Sequence, residues 1–153
     1  MHVLFRGISV IPVLTIERER DAVPLARALF EGGLSVIEVT LRTAAAPSAV
    51  AAIARELPQV IVGAGTLLRA ADIATAVHAG ARFLVSPGMI PELAAAALSA
   101  ELPYLPGVAT PSENMAQGAA RRQAVSDHCI LQRNGSLPRL AREKRLHSGP
   151  QEL

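Results

Sequence analysis

At 153 residues, half of them apolar and with a net charge of +2, the chain holds enough material for one folded domain with a sizeable core, and its charge gives no reason to invoke nucleic acid or an acidic partner. Aromatic residues make up 3% and tryptophan is absent, so the core must be built from Ala, Val, Leu and Ile, which suits helices packed on strands better than a β-sandwich. The single cysteine, Cys129, excludes an intramolecular disulfide, and neither a cleavable leader nor an apolar run of about 18 residues is found, so the expectation is a cytoplasmic protein without a membrane span.

From residue 8 to about 120 one rhythm repeats: a short apolar run, a few loop residues, an alanine-rich amphipathic stretch, then Gly or Pro. Residues 8–13 read as the first strand and 18–31 as its helix, closed by Gly32-Gly33 where glycine favours a helix end. Residues 34–39 form the second strand, 47–57 the second helix, 60–62 the third strand and 70–79 the third helix, stopped at Gly80. A fourth strand over 82–85, a fourth helix over 91–100, a fifth strand over 103–106 and a fifth helix over 111–120 complete the series. Apolar residues on both faces of these strands mark a buried parallel sheet.

Repeated βα units give either a doubly wound sheet or a (β/α)8 TIM barrel. No Gly-rich dinucleotide fingerprint follows the first strand, and polar residues recur just after several strands, where barrels place their chemistry. The reading is therefore an α/β chain forming part of a (β/α)8 barrel, since a complete barrel takes about 200 residues or more and five units do not close one. Beyond residue 120 the character changes: residues 121–153 hold seven of the fifteen Lys and Arg but three acids, against eight Arg and ten acids before. Residues 1–120 are read as the barrel part and 121–153 as a basic, non-matching tail without a clear strand. That tail lacks aromatic interleaving and any nucleic-acid-binding motif.

Glu38 stands near the end of the second strand, within Val36-Ile37-Glu38-Val39-Thr40-Leu41-Arg42-Thr43. A carboxylate there is either paired with Arg42 in a structural turn or a general acid/base, since perturbed acids cluster at such positions. Arg42 is either a surface ion-pair partner or a bidentate clamp for a ligand carboxylate. Gly63-Ala64-Gly65-Thr66 after the third strand, Ser86-Pro87-Gly88 after the fourth and Pro106-Gly107 after the fifth each read singly as turn chemistry. Together they converge on one face of the sheet.

These segments, with Ile11-Pro12-Val13 and Gly32-Gly33, stand in the order and spacing of the bacterial 2-keto-3-deoxy-6-phosphogluconate (KDPG)/4-hydroxy-2-oxoglutarate aldolases, which the chain resembles from about residue 7 to 120. The resemblance implies a metal-free and cofactor-free class I aldolase on a (β/α)8 barrel, usually a homotrimer, cleaving the phosphorylated keto-deoxy acid to pyruvate and glyceraldehyde 3-phosphate. It implies that Glu38 is the general acid/base, that Arg42 and Thr66 hold the pyruvate carboxylate, and that Pro87 lies beside the site.

The family's Schiff-base lysine, in a Lys-Phe-Phe-Pro-Ala-Glu type segment of the sixth strand, has no match in this chain, and neither does its glycine-rich phosphate loop. The one lysine, Lys144, lies in the charge run Arg142-Glu143-Lys144-Arg145. Arginine stays protonated and forms no imine. The expectation is a family pattern truncated or frame-shifted after about residue 120, inactive or impaired as an aldolase; the alternative is a non-catalytic remnant that binds small 2-keto acids.

Overall fold

A computed structural model describes residues 3–110 and residue 112. After a 3-10 turn at Val3–Phe5, strands β1 (Val13–Leu14), β2 (Val36–Thr40), β3 (Ile61–Gly65), β4 (Leu84–Ser86) and β5 (Tyr104–Pro106) alternate with helices α1 (Ala22–Glu31), α2 (Ala46–Glu56), α3 (Ala70–His78) and α4 (Pro91–Ser99). The strands form one sheet in the order β1-β2-β3-β4-β5, every pair parallel.

Two observations make this sheet an arc of a barrel rather than a doubly wound sheet. The strand order never reverses, so there is no switch point. All four helices also pack on the same face: Ala22 and Ala26 of α1, Val50 and Ile53 of α2, Ile73 and Ala76 of α3, and Leu93 and Ala97 of α4 share one buried cluster with Ile37, Val39, Val62, Ala64 and Leu84 of the strands. The opposite, inner face carries a separate cluster of Phe5, Val36, Phe83 and Leu105. There the rings of Phe5 and Phe83 meet edge to face, with centroids 5.3 Å apart at 84°.

Helix ends follow local chemistry. α1 closes in a Schellman motif, with Gly33 at φ 90°, its N–H donating to Phe30 and the Leu34 N–H to Leu29. Gly80 does the same after α3, and Glu101 after α4 at φ 56°, where a side chain sits in backbone space that glycine fills without strain. Asp72 starts α3 by accepting the Leu68 and Arg69 backbone N–H groups at 2.9 and 3.0 Å.

Three boundaries depart furthest from the sequence reading. The first strand is Val13–Leu14 rather than 8–13: Pro12 has no N–H to donate and joins β2 only through its carbonyl, which accepts the Glu38 N–H at 2.9 Å. α1 begins at Ala22 rather than 18, after a 3-10 turn over Glu19–Asp21, because Pro24 is tolerated in a first turn but not inside a helix. β3 runs on through Gly63, Ala64 and Gly65, which read as a loop after the strand. The expected helix over 111–120 and the tail over 121–153 lie outside the described residues, apart from residue 112.

Candidate active site at the strand ends

Alternation along β2 sends Ile37 and Val39 into the helix-side core and leaves Glu38 and Thr40 on the inner face with Val36. Glu38 pairs in register with Val13 of β1 and Gly63 of β3. Side chains lean along a strand, and the Glu38 carboxylate lies over Gly65: a Cβ built there would stand 2.5 Å from Glu38 Cδ, 2.8 Å from Cγ, and overlap Oε1.

Glu38 is 6% exposed, and although its backbone N–H donates to the Pro12 carbonyl at 2.9 Å, its carboxylate makes no ion pair or hydrogen bond with the described residues. Burial therefore dominates its titration and pushes the carboxyl from 4.5 up to about 7, with the Arg42 charge pulling the other way. Such a group exchanges protons near neutrality, as a general acid/base requires. The structural alternative, a Glu38–Arg42 ion pair, does not form; Arg42 is exposed on the turn after β2, while Glu38 is buried inside the sheet.

The exit of β2 is stitched to its neighbours. Thr40 Oγ1 stands 3.0 Å from Thr15 Oγ1 and donates to the Leu14 carbonyl, and Thr43 donates to the Ile16 carbonyl at 2.6 Å. On the other side the Leu41 N–H donates to the Gly65 carbonyl at 2.8 Å. Arg42 thus projects from a turn held on both flanks.

Thr66 follows β3 directly and is half-buried with φ 60°. Left-handed backbone is unfavourable for a β-branched residue and costs of order 1–3 kcal/mol, strain that collects at functional sites. Its neighbour Leu67 holds it there, fully buried and donating its N–H to the Val85 carbonyl at 3.1 Å.

Pro87 is exposed in the turn after β4, and its carbonyl passes so close to Gly107 that a Cβ there would overlap it. Buried Ser86 fixes this turn. Its Oγ donates to the Gly88 carbonyl at 2.6 Å and stands 2.6 Å from the Tyr104 hydroxyl. Burial pushes the Tyr104 phenol up, against the opposing pull of Ser86 and the Ile90 backbone.

Arg42, Thr66 and Pro87 therefore stand in the turns leaving three adjacent strands, and Glu38, at the centre of β2, reaches its carboxylate to Gly65, the last residue of β3. Sequence reasoning missed Gly65, Ser86, Tyr104 and the threonines at 15, 40 and 43 as supports of that surface. Gly65 and Ser86 were visible as parts of the Gly-x-Gly-Thr and Ser-Pro-Gly runs and Thr40 and Thr43 as parts of the Glu-Val-Thr-Leu-Arg-Thr stretch, while Thr15 and Tyr104 carried no signal. Lys144 lies outside the described residues. No group of three or more His, Cys, Asp or Glu among the described residues could hold a metal ion. A groove lined by Pro47, Ala51, Ala74, Thr75 and His78 runs between α2 and α3 in the outer layer and includes none of the candidate residues.

The model of the family described as KDPG and KHG aldolase matches residues 2–121. The KHG/KDPG aldolase of Escherichia coli K12 is 47% identical over 106 residues, which is 69% of this chain and 50% of that protein. The 2-dehydro-3-deoxy-phosphogluconate aldolase of Treponema pallidum is 49% identical over 106 residues, again 69% and 50%. Among solved structures, the KDPG aldolase of Legionella pneumophila, with pyruvate captured at low pH as a covalent carbinolamine intermediate, superposes with a TM-score of 0.70 at 44% identity, covering 72% of this chain and 54% of that one. The chain spans about half the length of the curated relatives it matches. With the five-stranded barrel arc, its strand-end carboxylate and this match across most of the sequence, the chain belongs to the KDPG and KHG aldolase family.

Proposed function

We propose that residues 1–120 supply the N-terminal part of a class I aldolase barrel, distinct from the basic segment 121–153, and that this part serves the cleavage of 2-dehydro-3-deoxy-6-phosphogluconate to pyruvate and glyceraldehyde 3-phosphate. The observation that carries the reading is Glu38: a buried carboxyl at the strand ends whose titration is moved to about 7. In this assignment Glu38 moves protons to and from the keto acid, Arg42 and Thr66 hold its carboxylate, and Pro87 flanks it. Metal and cofactor have no role. A homotrimer in the cytoplasm is part of the same proposal; among the described residues no helix is long and apolar enough to cross a membrane.

Class I chemistry also needs an amine. A lysine condenses with the keto carbon, water leaves, and the cationic imine takes up the electron pair released when the carbon-carbon bond breaks. The pyruvate adduct of the Legionella relative belongs to that route. In this chain Lys144 stands outside the family's lysine motif. The chain by itself is accordingly assigned keto-acid binding without imine formation, which is also the point favouring the second reading, a non-catalytic 2-keto acid binder.

Borohydride reduction in the presence of pyruvate, read by mass spectrometry, tests this. The expected result is no site-specific adduct, while a complete family enzyme is labelled on one lysine. Stoichiometric labelling of Lys144, lost together with cleavage activity in Lys144→Arg, would overturn the assignment.

A further inference from the structure

Strand β3 carries glycine at two of its three inner positions, Gly63 at its centre and Gly65 at its end, and each is covered by a side chain from beside it. The Phe83 ring lies over Gly63 and the Glu38 carboxylate over Gly65, so that a Cβ at either place would overlap the group above it. Neither glycine has a left-handed backbone; positive φ among the described glycines is confined to Gly7, Gly33 and Gly80. The backbone therefore does not require glycine at 63 or 65. Glycine weakens a strand interior, and where it is found there another group commonly approaches closely.

We infer that Gly65 is a positioning residue for Glu38: its missing Cβ is the seat that keeps the carboxylate against β3, with the Phe83 ring at Gly63 closing the space two residues below. The register supports this, because Gly63 is the β3 partner of Glu38, so the Phe83 ring covers the position directly beside Glu38 on the neighbouring strand, whose backbone runs about 4.8 Å away. A methyl group at 65 has no room beside the carboxylate and lifts it toward the open strand ends. There water re-solvates it and Arg42 stands closer. Arg42 is the charged group acting on Glu38, and the facing strands β1, β3 and β4 contain no titratable residue.

The inference rests on reading Glu38 as the proton-transfer group, but the seat is tested apart from turnover. Carboxyl-¹³C-labelled glutamate in the full chain gives the Glu38 titration by NMR, for wild type and for Gly65→Ala. The expected result is a wild-type midpoint near 7 that falls by about one unit or more in Gly65→Ala, as desolvation is relieved. A merely structural glycine lowers the melting temperature and leaves that midpoint in place, which would overturn the inference, as would a wild-type midpoint at the ordinary 4.5. The double variant Glu38→Asp/Gly65→Ala covers a fold too damaged to titrate. Aspartate is one methylene shorter, so adding Glu38→Asp should raise the melting temperature of Gly65→Ala, or restore its folding, while lowering that of wild type. Failure of this rescue counts against the seat. A wild-type chain that binds no pyruvate, alongside the expected midpoint shift in Gly65→Ala, would remove the proposed function and leave the seat standing.

Discussion

The hydroxyls of Ser86, at the end of β4, and Tyr104, at the start of β5, stand 2.6 Å apart in a buried position and tie the exit of β4 to the entry of β5 beneath the Pro87 turn. Removing one partner from a buried hydrogen bond costs more than the bond itself, because the group left behind is desolvated and unpaired. Tyr104→Phe leaves Ser86 its bond to the Gly88 carbonyl and should cost about 1 kcal/mol. Ser86→Ala leaves the buried phenol without its 2.6 Å partner, holding the Ile90 backbone and a 3.5 Å contact to the Gly88 carbonyl, and should cost about 1–3 kcal/mol. Urea denaturation of the two variants checks the order; a larger loss in Tyr104→Phe would contradict this account of the turn.

Glu38 should make stability fall as pH rises. Its folded-state titration, about 7, lies above the ordinary 4.5, so the native state holds this proton more tightly than the unfolded chain does. The stabilisation is fully present below 4.5 and is lost progressively as pH climbs through 7. A raised carboxyl is worth about 1.4 kcal/mol per unit, so Glu38→Gln should become more stable than wild type by of order 3 kcal/mol at alkaline pH and be near neutral in acid. Thermal melts of both proteins across pH measure this. A gap that stays constant with pH would show that Glu38 is ionised in its site.

Thr66 is expected to trade stability for binding. Its φ of 60° is strained for a β-branched residue, and glycine relieves that strain, so Thr66→Gly should gain about 1 kcal/mol in denaturant unfolding. The same change removes a hydroxyl that the proposed site uses, and pyruvate affinity should drop by about fivefold, equivalent to a hydrogen bond of about 1 kcal/mol. A variant that loses stability would show that the hydroxyl supports the fold instead.

The barrel arc was legible because each unit repeats its own punctuation. Gly33 and Gly80 end helices where the chain needs left-handed backbone, and the apolar runs of β2 and β4 bury both faces. Glu38 stood out because a charge interrupts such a run. What stayed hidden depends on contacts between distant residues. Gly63 and Gly65 look like a turn in one dimension and prove to be strand positions emptied for Phe83 and Glu38. Tyr104 looks like one more apolar strand residue, and its partner Ser86 lies 18 residues away. The strain at Thr66 leaves no trace in composition, since threonine ordinarily avoids that backbone.

The claim that the strand-end surface holds a 2-keto acid by its carboxylate is tested most directly by titrating pyruvate into the ¹⁵N-labelled chain and into Arg42→Ala. The guanidinium contributes a charge-assisted hydrogen bond worth about 1.5–3 kcal/mol, so its loss should weaken binding by roughly 10- to 100-fold. The account predicts saturable shifts at the amides of Arg42, Thr66 and Gly88 in wild type, and shifts at Thr66 and Gly88 that appear only at much higher pyruvate in the variant. Equal titrations in the two proteins, or shifts confined to residues away from the ends of β2, β3 and β4, would contradict it.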